Sequence, residues 1–229
     1  MRKYGFLKHS LVDYPGEVCS VVFLPGCNFH CPYCHNKTLP KDIAQEGWNL
    51  KAIVDYLKDA RSIITAVCIT GGEPTLMPET LCYLIETFKA LGLKIKLDSN
   101  GSHPDLLKRL MDKVDYIAMD LKTSIGRYPE LVGECEKPTI GTKIEESMKL
   151  LMDRSEKSYE FRTTLSWDFV DEDVIHDLGN RLKPTTYWYL QRCRLEGLPN
   201  KDFLVQEIEK IQDCYSIAKK YTNFVFLRE

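Results

Sequence analysis

The chain carries no surplus of either charge: 31 Lys and Arg stand against 33 Asp and Glu, a net charge of −2. A surface that tracks phosphates needs a clear excess of Lys and Arg to displace counterions, and beyond scattered pairs such as Lys219 and Lys220 there is no basic run. Nucleic acid is therefore not an expected partner. No stretch approaches the roughly 18 uninterrupted apolar residues of a membrane span. The opening segment, broken by Lys3, Lys8, His9 and Asp13, lacks the apolar centre of a secretion signal. A cytoplasmic location without membrane contact is the expectation. Low-complexity sequence is missing as well. With 229 residues, 44% of them hydrophobic and 28% charged, the chain reads as a single globular domain over 1–229.

Cysteine, by contrast, is plentiful at nine residues. In a reducing compartment thiols stay free, so a tight cluster of them points to metal binding or catalysis rather than to disulfides.

Periodicity arranges the chain as alternating strands and helices. Short apolar, β-branched runs read as strands at 18–24 (VCSVVFL), 66–70 (AVCIT), 94–99, 116–121, 159–165, 187–191 and 224–227. Helical spacing falls between them at 50–64, with Asn49 as a plausible N-cap, and at 78–91, 104–111, 144–152, 173–182 and 204–221. This alternation predicts an α/β fold: a parallel sheet with helices packed outside it. A chain of this length suits an open, partial (βα)6 barrel better than a closed eight-unit barrel, which takes about 250 residues. The longest stretch without a clear pattern is 122–141. It carries Ile125, Tyr128, Leu131 and Val132, and it is expected to fold in part or to close over a ligand.

In parallel α/β folds ligands gather at the carboxyl ends of the strands. The first strand end leads into Cys27-Asn28-Phe29-His30-Cys31-Pro32-Tyr33-Cys34, three cysteines separated by three and then two residues. One short loop of this kind can bring three thiolates around a compact inorganic core. That suits a cubane of four irons, with one iron left open, better than tetrahedral zinc. By spacing alone, a zinc site completed by His30 or His35 remains the alternative. The second strand end leads into Gly71-Gly72-Glu73-Pro74-Thr75, where two glycines let a ligand approach the backbone and a carboxylate stands behind them. Asp98 ends the third strand, Asp120 and Lys122 the fourth, and Arg162 projects from the fifth as a group for a carboxylate, a hydroxyl or an ion pair with Glu160 or another acid. His35 and Asn36 read as loop-shaping residues or as neighbours of a cofactor rather than ligands, and His9, His103 and His176 have no constellation in sequence.

Taken together these residues resemble the radical S-adenosylmethionine superfamily. Its CxxxCxxC loop, with an aromatic before the last cysteine, matches Cys27, Cys31, Tyr33 and Cys34, and its GGE turn matches Gly71, Gly72 and Glu73. Residues 10–16 (SLVDYPG), 24–29 (LPGCNF), 31–36 (CPYCHN), 98–101 (DSNG) and 120–122 (DLK) make the chain similar to activating enzymes of glycyl-radical enzymes. It is most like the activase of the anaerobic ribonucleoside-triphosphate reductase. The likeness is strong over the first half of the chain, and the second half shares mainly the βα rhythm.

The resemblance implies one 4Fe-4S cluster on Cys27, Cys31 and Cys34, whose open iron chelates the amino and carboxylate groups of S-adenosylmethionine. It implies further that the turn at Gly71, Gly72 and Glu73 receives the methionine ammonium and that Tyr33 lies beside the adenine. Asp98 and Asp120 would lie near the methionine or ribose, with Lys122 neutralising the carboxylate. The implied activity is reductive cleavage to a 5′-deoxyadenosyl radical, with an electron from a low-potential donor, and generation of a glycyl radical on a partner reductase. Two other activities fit the same motifs: activation of a formate-lyase-type enzyme, and small-molecule radical chemistry of the 7-carboxy-7-deazaguanine synthase kind. A zinc or iron–sulfur binding module without catalysis is the reading from a different class. The other six cysteines form no second closely spaced set, so one cluster is expected.

Overall fold

The computed structural model describes residues 3–34, 36–154, 158–193 and 201–228. It resolves into two compact units. One comprises the chain to Ser99 together with His103–Ala118; the other comprises Asn100–Ser102 and the chain from Met119 onward.

In the first unit the strands are β1 (Lys3–Ser10), β2 (Cys19–Leu24), β3 (Trp48–Asn49), β4 (Ala66–Gly71), β5 (Lys94–Ser99) and the start of β6 (Tyr116–Asp120). Their hydrogen-bonded order is β3-β1-β2-β4-β5-β6. β2 and β4 are parallel from Cys19↔Ala66 to Leu24↔Gly71, so both strands reach their carboxyl ends side by side. β5 continues the parallel pairing, Cys68 opposite Lys96. Every residue of β4 except Thr70 is buried, which is why the run reads as continuous rather than alternating.

Helices α1 (Leu39–Glu46), α2 (Leu50–Asp59), α3 (Pro78–Ala90) and α4 (Pro104–Leu110) connect these strands. Asn49 caps α2, its side chain accepting the Ala52 N–H at 2.9 Å. Proline at the first position of α3 and α4 removes a donor that would otherwise be orphaned. Ile53 and Leu57 of α2, and Leu81, Leu84, Ile85 and Phe88 of α3, supply the helical side of the core.

The expected strand at 18–24 is present, but it is not the first. β1 precedes it and pairs antiparallel, Gly5 opposite Phe23 and Ser10 opposite Cys19. Only Tyr4 and Ser10 of β1 are buried, so its sequence gives no alternation to read. β3 and α1 were likewise not visible in the pattern.

In the second unit β7 (Tyr159–Leu165), β8 (Tyr187–Arg192) and β9 (Phe224–Arg228) follow the end of β6 in that order, with β7–β8 and β8–β9 parallel. In both units parallel strands alternate with helices, the expected α/β arrangement. Helices α5 (Ile140–Met152), α6 (Glu172–Gly179) and α7 (Lys201–Ala218) complete the βα rhythm. Asp171 caps α6 by accepting the Val174 N–H at 2.9 Å. The stretch 122–141 does fold in part: Ile125–Leu131 forms a 3-10 segment that buries Tyr128 and Leu131. Its first amide, that of Ile125, donates to Asp177 of α6 at 3.1 Å.

Candidate functional site

The cysteine loop leaves the end of β2 and turns on itself, the Cys34 N–H donating to the Cys31 carbonyl at 3.1 Å. Cys27 and Cys34 are exposed and Cys31 is buried. Backbone amides donate to sulfur in this loop: Phe29 N–H to Cys27 Sγ and Asn36 N–H to Cys34 Sγ, both at 3.4 Å. Phe29 itself is buried and pins the loop.

The glycine turn at the end of β4 is fastened to this loop. Gly72 N–H donates to the Leu24 carbonyl at 2.9 Å and Glu73 N–H to the Gly26 carbonyl at 2.7 Å. The Asn36 amide donates to the Gly71 carbonyl at 2.8 Å. A Cβ on Gly71 would overlap the Leu24 backbone, and one on Gly72 would overlap the Gly26 carbonyl. Gly71 also has φ +128°, a conformation that L side chains rarely adopt. The two glycines therefore have a reason that sequence does not reveal: the end of β2 approaches Gly71, and the start of the cysteine loop approaches Gly72.

Glu73 is fully buried. Its Oε1 accepts the Thr75 N–H at 3.1 Å, the Thr75 hydroxyl at 2.5 Å and the Ser99 hydroxyl at 2.9 Å. His103 Nδ1 lies 3.0 Å from Thr75 Oγ1. A hydroxyl has one proton, and with that proton given to Glu73 the imidazole is the donor. His103, which has no constellation in sequence, thus closes a chain that holds the Glu73 carboxylate. Tyr33 is partly exposed. Asp98 is nearly buried, and its carboxylate is engaged by Lys96, two residues earlier on the same face of β5.

In the second unit Asp120 accepts from Lys122 Nζ at 2.9 Å through one oxygen and from Arg162 Nε at 2.8 Å through the other. Burial alone would raise the Asp120 carboxyl, but the charges of Arg162 and Lys122 outweigh it and hold the group well below the usual carboxylate range. Arg162 therefore pairs with another acid, Asp120. Glu160, wholly buried, takes a bidentate pair from Arg228 at 2.8 and 2.9 Å. Lys122 is oriented in turn by its own N–H, which donates to the Tyr128 hydroxyl at 2.9 Å.

Among the described residues no three His, Cys, Asp or Glu side chains are drawn together as a single metal ion requires. Three thiols on one short turn, with the Phe29 and Asn36 amides donating to two of them, fit an iron–sulfur cluster in donor chemistry. His35 lies outside the described residues.

Residues 21–133 match a family model described as the Radical SAM superfamily. A protein of Methanocaldococcus jannaschii, provisionally named a glycyl-radical enzyme activating enzyme, is 30% identical over 98% of this chain and 94% of its own length. Other curated relatives match over shorter spans. The pyruvate formate-lyase-activating enzyme of Clostridium pasteurianum is 29% identical over 49% of this chain and 48% of its own. The 7-carboxy-7-deazaguanine synthase of Hyperthermus butylicus is 34% identical over 40% and 38%. Among solved structures, Streptococcus suis SuiB bound to S-adenosylmethionine superposes with a TM-score of 0.54 at 17% identity, over 92% of this chain and 46% of that one. At that identity the likeness is one of fold. No helix among the described residues is long and apolar enough to cross a membrane.

Proposed function

Because the chain belongs to the radical SAM superfamily, we propose that it is a glycyl-radical-enzyme activase whose partner is an anaerobic ribonucleoside-triphosphate reductase. The observation that carries the activase reading is the match to the Methanocaldococcus jannaschii protein along nearly the whole length of both chains. The reductase is favoured over other partners by the 10–16, 24–29 and 31–36 segments. The cofactors are one 4Fe-4S cluster and S-adenosylmethionine. When bound, they take one electron from a low-potential donor and supply the 5′-deoxyadenosyl radical that abstracts a hydrogen atom from a glycine of the partner.

The chain's own residues bind and orient. Cys27, Cys31 and Cys34 would hold the cluster, and the amides of Phe29 and Asn36 draw charge from two of the sulfurs, which favours the reduced state. The turn at Gly71, Gly72 and Glu73 would receive the methionine ammonium. Glu73 keeps that turn in shape through Thr75 and Ser99. Tyr33 offers an aromatic face for the adenine, and Asp98 an acceptor for the methionine or ribose. Asp120, kept ionised by its two cations, serves as a second acceptor, and Lys122 as a cation for the carboxylate. A reducing, cytoplasmic setting suits free thiol ligands.

The test is anaerobic reconstitution with iron and sulfide, then reduction by dithionite in the presence of S-adenosylmethionine. 5′-Deoxyadenosine should appear, and Cys27→Ala, Cys31→Ala or Cys34→Ala should each abolish it together with iron retention. Full cleavage by any of these variants would overturn the ligand assignment, and a binding module would give no cleavage at all. Addition of the reductase should then produce a glycyl doublet in electron paramagnetic resonance that depends on S-adenosylmethionine. The match to a 7-carboxy-7-deazaguanine synthase favours a second reading, small-molecule radical chemistry. Cleavage without a doublet on the reductase or on any formate-lyase-type partner would select it.

A further inference from the structure

Lys96 has no part in the function set out above, yet it is an unexpected residue to find where it lies. It sits in mid-strand on β5 with 2% of its side chain exposed. Its ammonium donates to the Asp98 carboxylate and stands 3.8 Å from Cys68 Sγ, the side chain of its register partner on β4. Cys68 belongs to an apolar cluster with Tyr14, Cys19, Val21, Ala66 and Tyr116. A lysine buried against such a cluster is unfavourable unless paired, and an apolar side chain would fill the position without that penalty. What the lysine does is therefore to be sought in its neighbours. Cys68 is not the counter-charge: burial first, and then the Asp98 charge, push its thiol well up and keep it neutral.

Asp98 is different. It lies two residues further along the same face, at the carboxyl end of β5, and is itself 8% exposed. An acid so placed tends to take up a proton, and a protonated carboxyl offers a donor where a carboxylate offers acceptors only. Cys19 and Cys68 interact with both Lys96 and Asp98, and Asp13 and Tyr14 act in turn on those thiols. The thiols and the phenol are raised by burial and Asp13 is another acid, so none of these four supplies a positive charge.

We propose that Lys96 is a positioning residue that keeps Asp98 ionised and directed along the end of β5, so that Asp98 can accept a hydrogen bond from S-adenosylmethionine. The proposal rests on the reading of Asp98 as a cofactor contact, and its two halves are tested separately.

The first half is read on the metal-free protein by carbon-13 NMR of the Asp98 carboxyl. In the native chain the resonance should remain that of a carboxylate on acidification to about pH 5, and in Lys96→Met it should titrate about one to several pH units higher. A protonated Asp98 in the native chain near neutral pH, or an unchanged titration in the variant, would overturn it. The native measurement keeps the test decisive if Lys96→Met fails to fold.

The second half is read as equilibrium binding of S-adenosylmethionine to anaerobically reconstituted protein. Lys96→Met should lose affinity about tenfold as pH falls through the Asp98 titration measured for that variant, while the native chain and Lys96→Arg change by less than about twofold over the same range. Binding by Lys96→Met that is flat with pH refutes the role, provided Asp98→Asn weakens binding. If Asp98→Asn binds as tightly as the native chain, the cofactor contact itself is wrong, and the carboxyl titration still decides what Lys96 does.

Discussion

Substituting Gly72 by alanine adds one methyl group at the junction of the cysteine loop and the glycine turn, and the structure states what that methyl meets. It overlaps the Gly26 carbonyl and comes within 3.2 Å of the Cys27 nitrogen. Both are backbone atoms that cannot rotate aside as the end of a side chain can. Gly72 is not among the residues with positive φ, so the effect is steric and not one of strained backbone. Gly71, at φ +128°, would confuse the two.

Forcing a methylene-sized group into a filled space costs about 1–3 kcal/mol. Displacing the Gly26 carbonyl also weakens the 2.7 Å bond it accepts from Glu73 N–H, worth about 1 kcal/mol. The expected loss is about 2–4 kcal/mol, or about 5–15 °C in Tm for a chain of this size. If the loop yields instead, the stability loss shrinks and the displacement appears at Cys27, in lower iron retention after reconstitution. Gly126→Ala is the control, because a Cβ there meets nothing within 4 Å; it should change stability by less than about 0.5 kcal/mol. Thermal unfolding and iron content measured together give the answer. A Gly72→Ala protein with native Tm and a full complement of iron would refute the account of why glycine stands there.

Two further outcomes follow from the charged groups of the second unit. Arg228→Met leaves the fully buried Glu160 without its bidentate partner. A loss of about 3–5 kcal/mol is expected, and Glu160→Gln on the same background should restore part of it; urea unfolding of the single and double variants checks both. Asp120 has its folded-state pKa lowered, so its contribution to stability is present above its unfolded value of about 4 and is lost as pH falls through the lower folded value. Arg162→Met removes the larger of the two opposing charges, and its destabilisation should therefore be full near about pH 7 and smaller near about pH 3. An equal loss at both would show that Arg162 acts by packing and not through Asp120.

How much of this was legible in the sequence varies by element for physical reasons. β2, β4 and β5 appear within a residue or two of their expected bounds, because central strands of a parallel sheet are buried on both faces and read as unbroken apolar runs. β1 is invisible for the opposite reason: it is largely exposed, and its lysines break any alternation. The cysteine and glycine motifs are local, so their spacing carries over directly into two loops that touch. The pairing of Asp120 with Arg162 spans 42 residues and depends on which strands become neighbours, which periodicity does not specify. Lys96 and Asp98 are the intermediate case. They are two residues apart on a strand, so their shared face follows from the period of 2, but that the face is buried does not.

For four of the cysteines outside the loop the structure adds a reason independent of spacing. A ligand must be a thiolate, and burial opposes that form. Burial raises Cys19 to about 12 and Cys214 to about 11, lifts Cys68 well above its ordinary value, and raises Cys193 as well. These four are held as neutral, apolar side chains of the fold. Cys27 and Cys34 are exposed and accept backbone amides at their sulfurs, while Cys31 of the same loop is buried. On the proposed reading of this loop, such amides would help a sulfur that must stay charged while its metal is reduced.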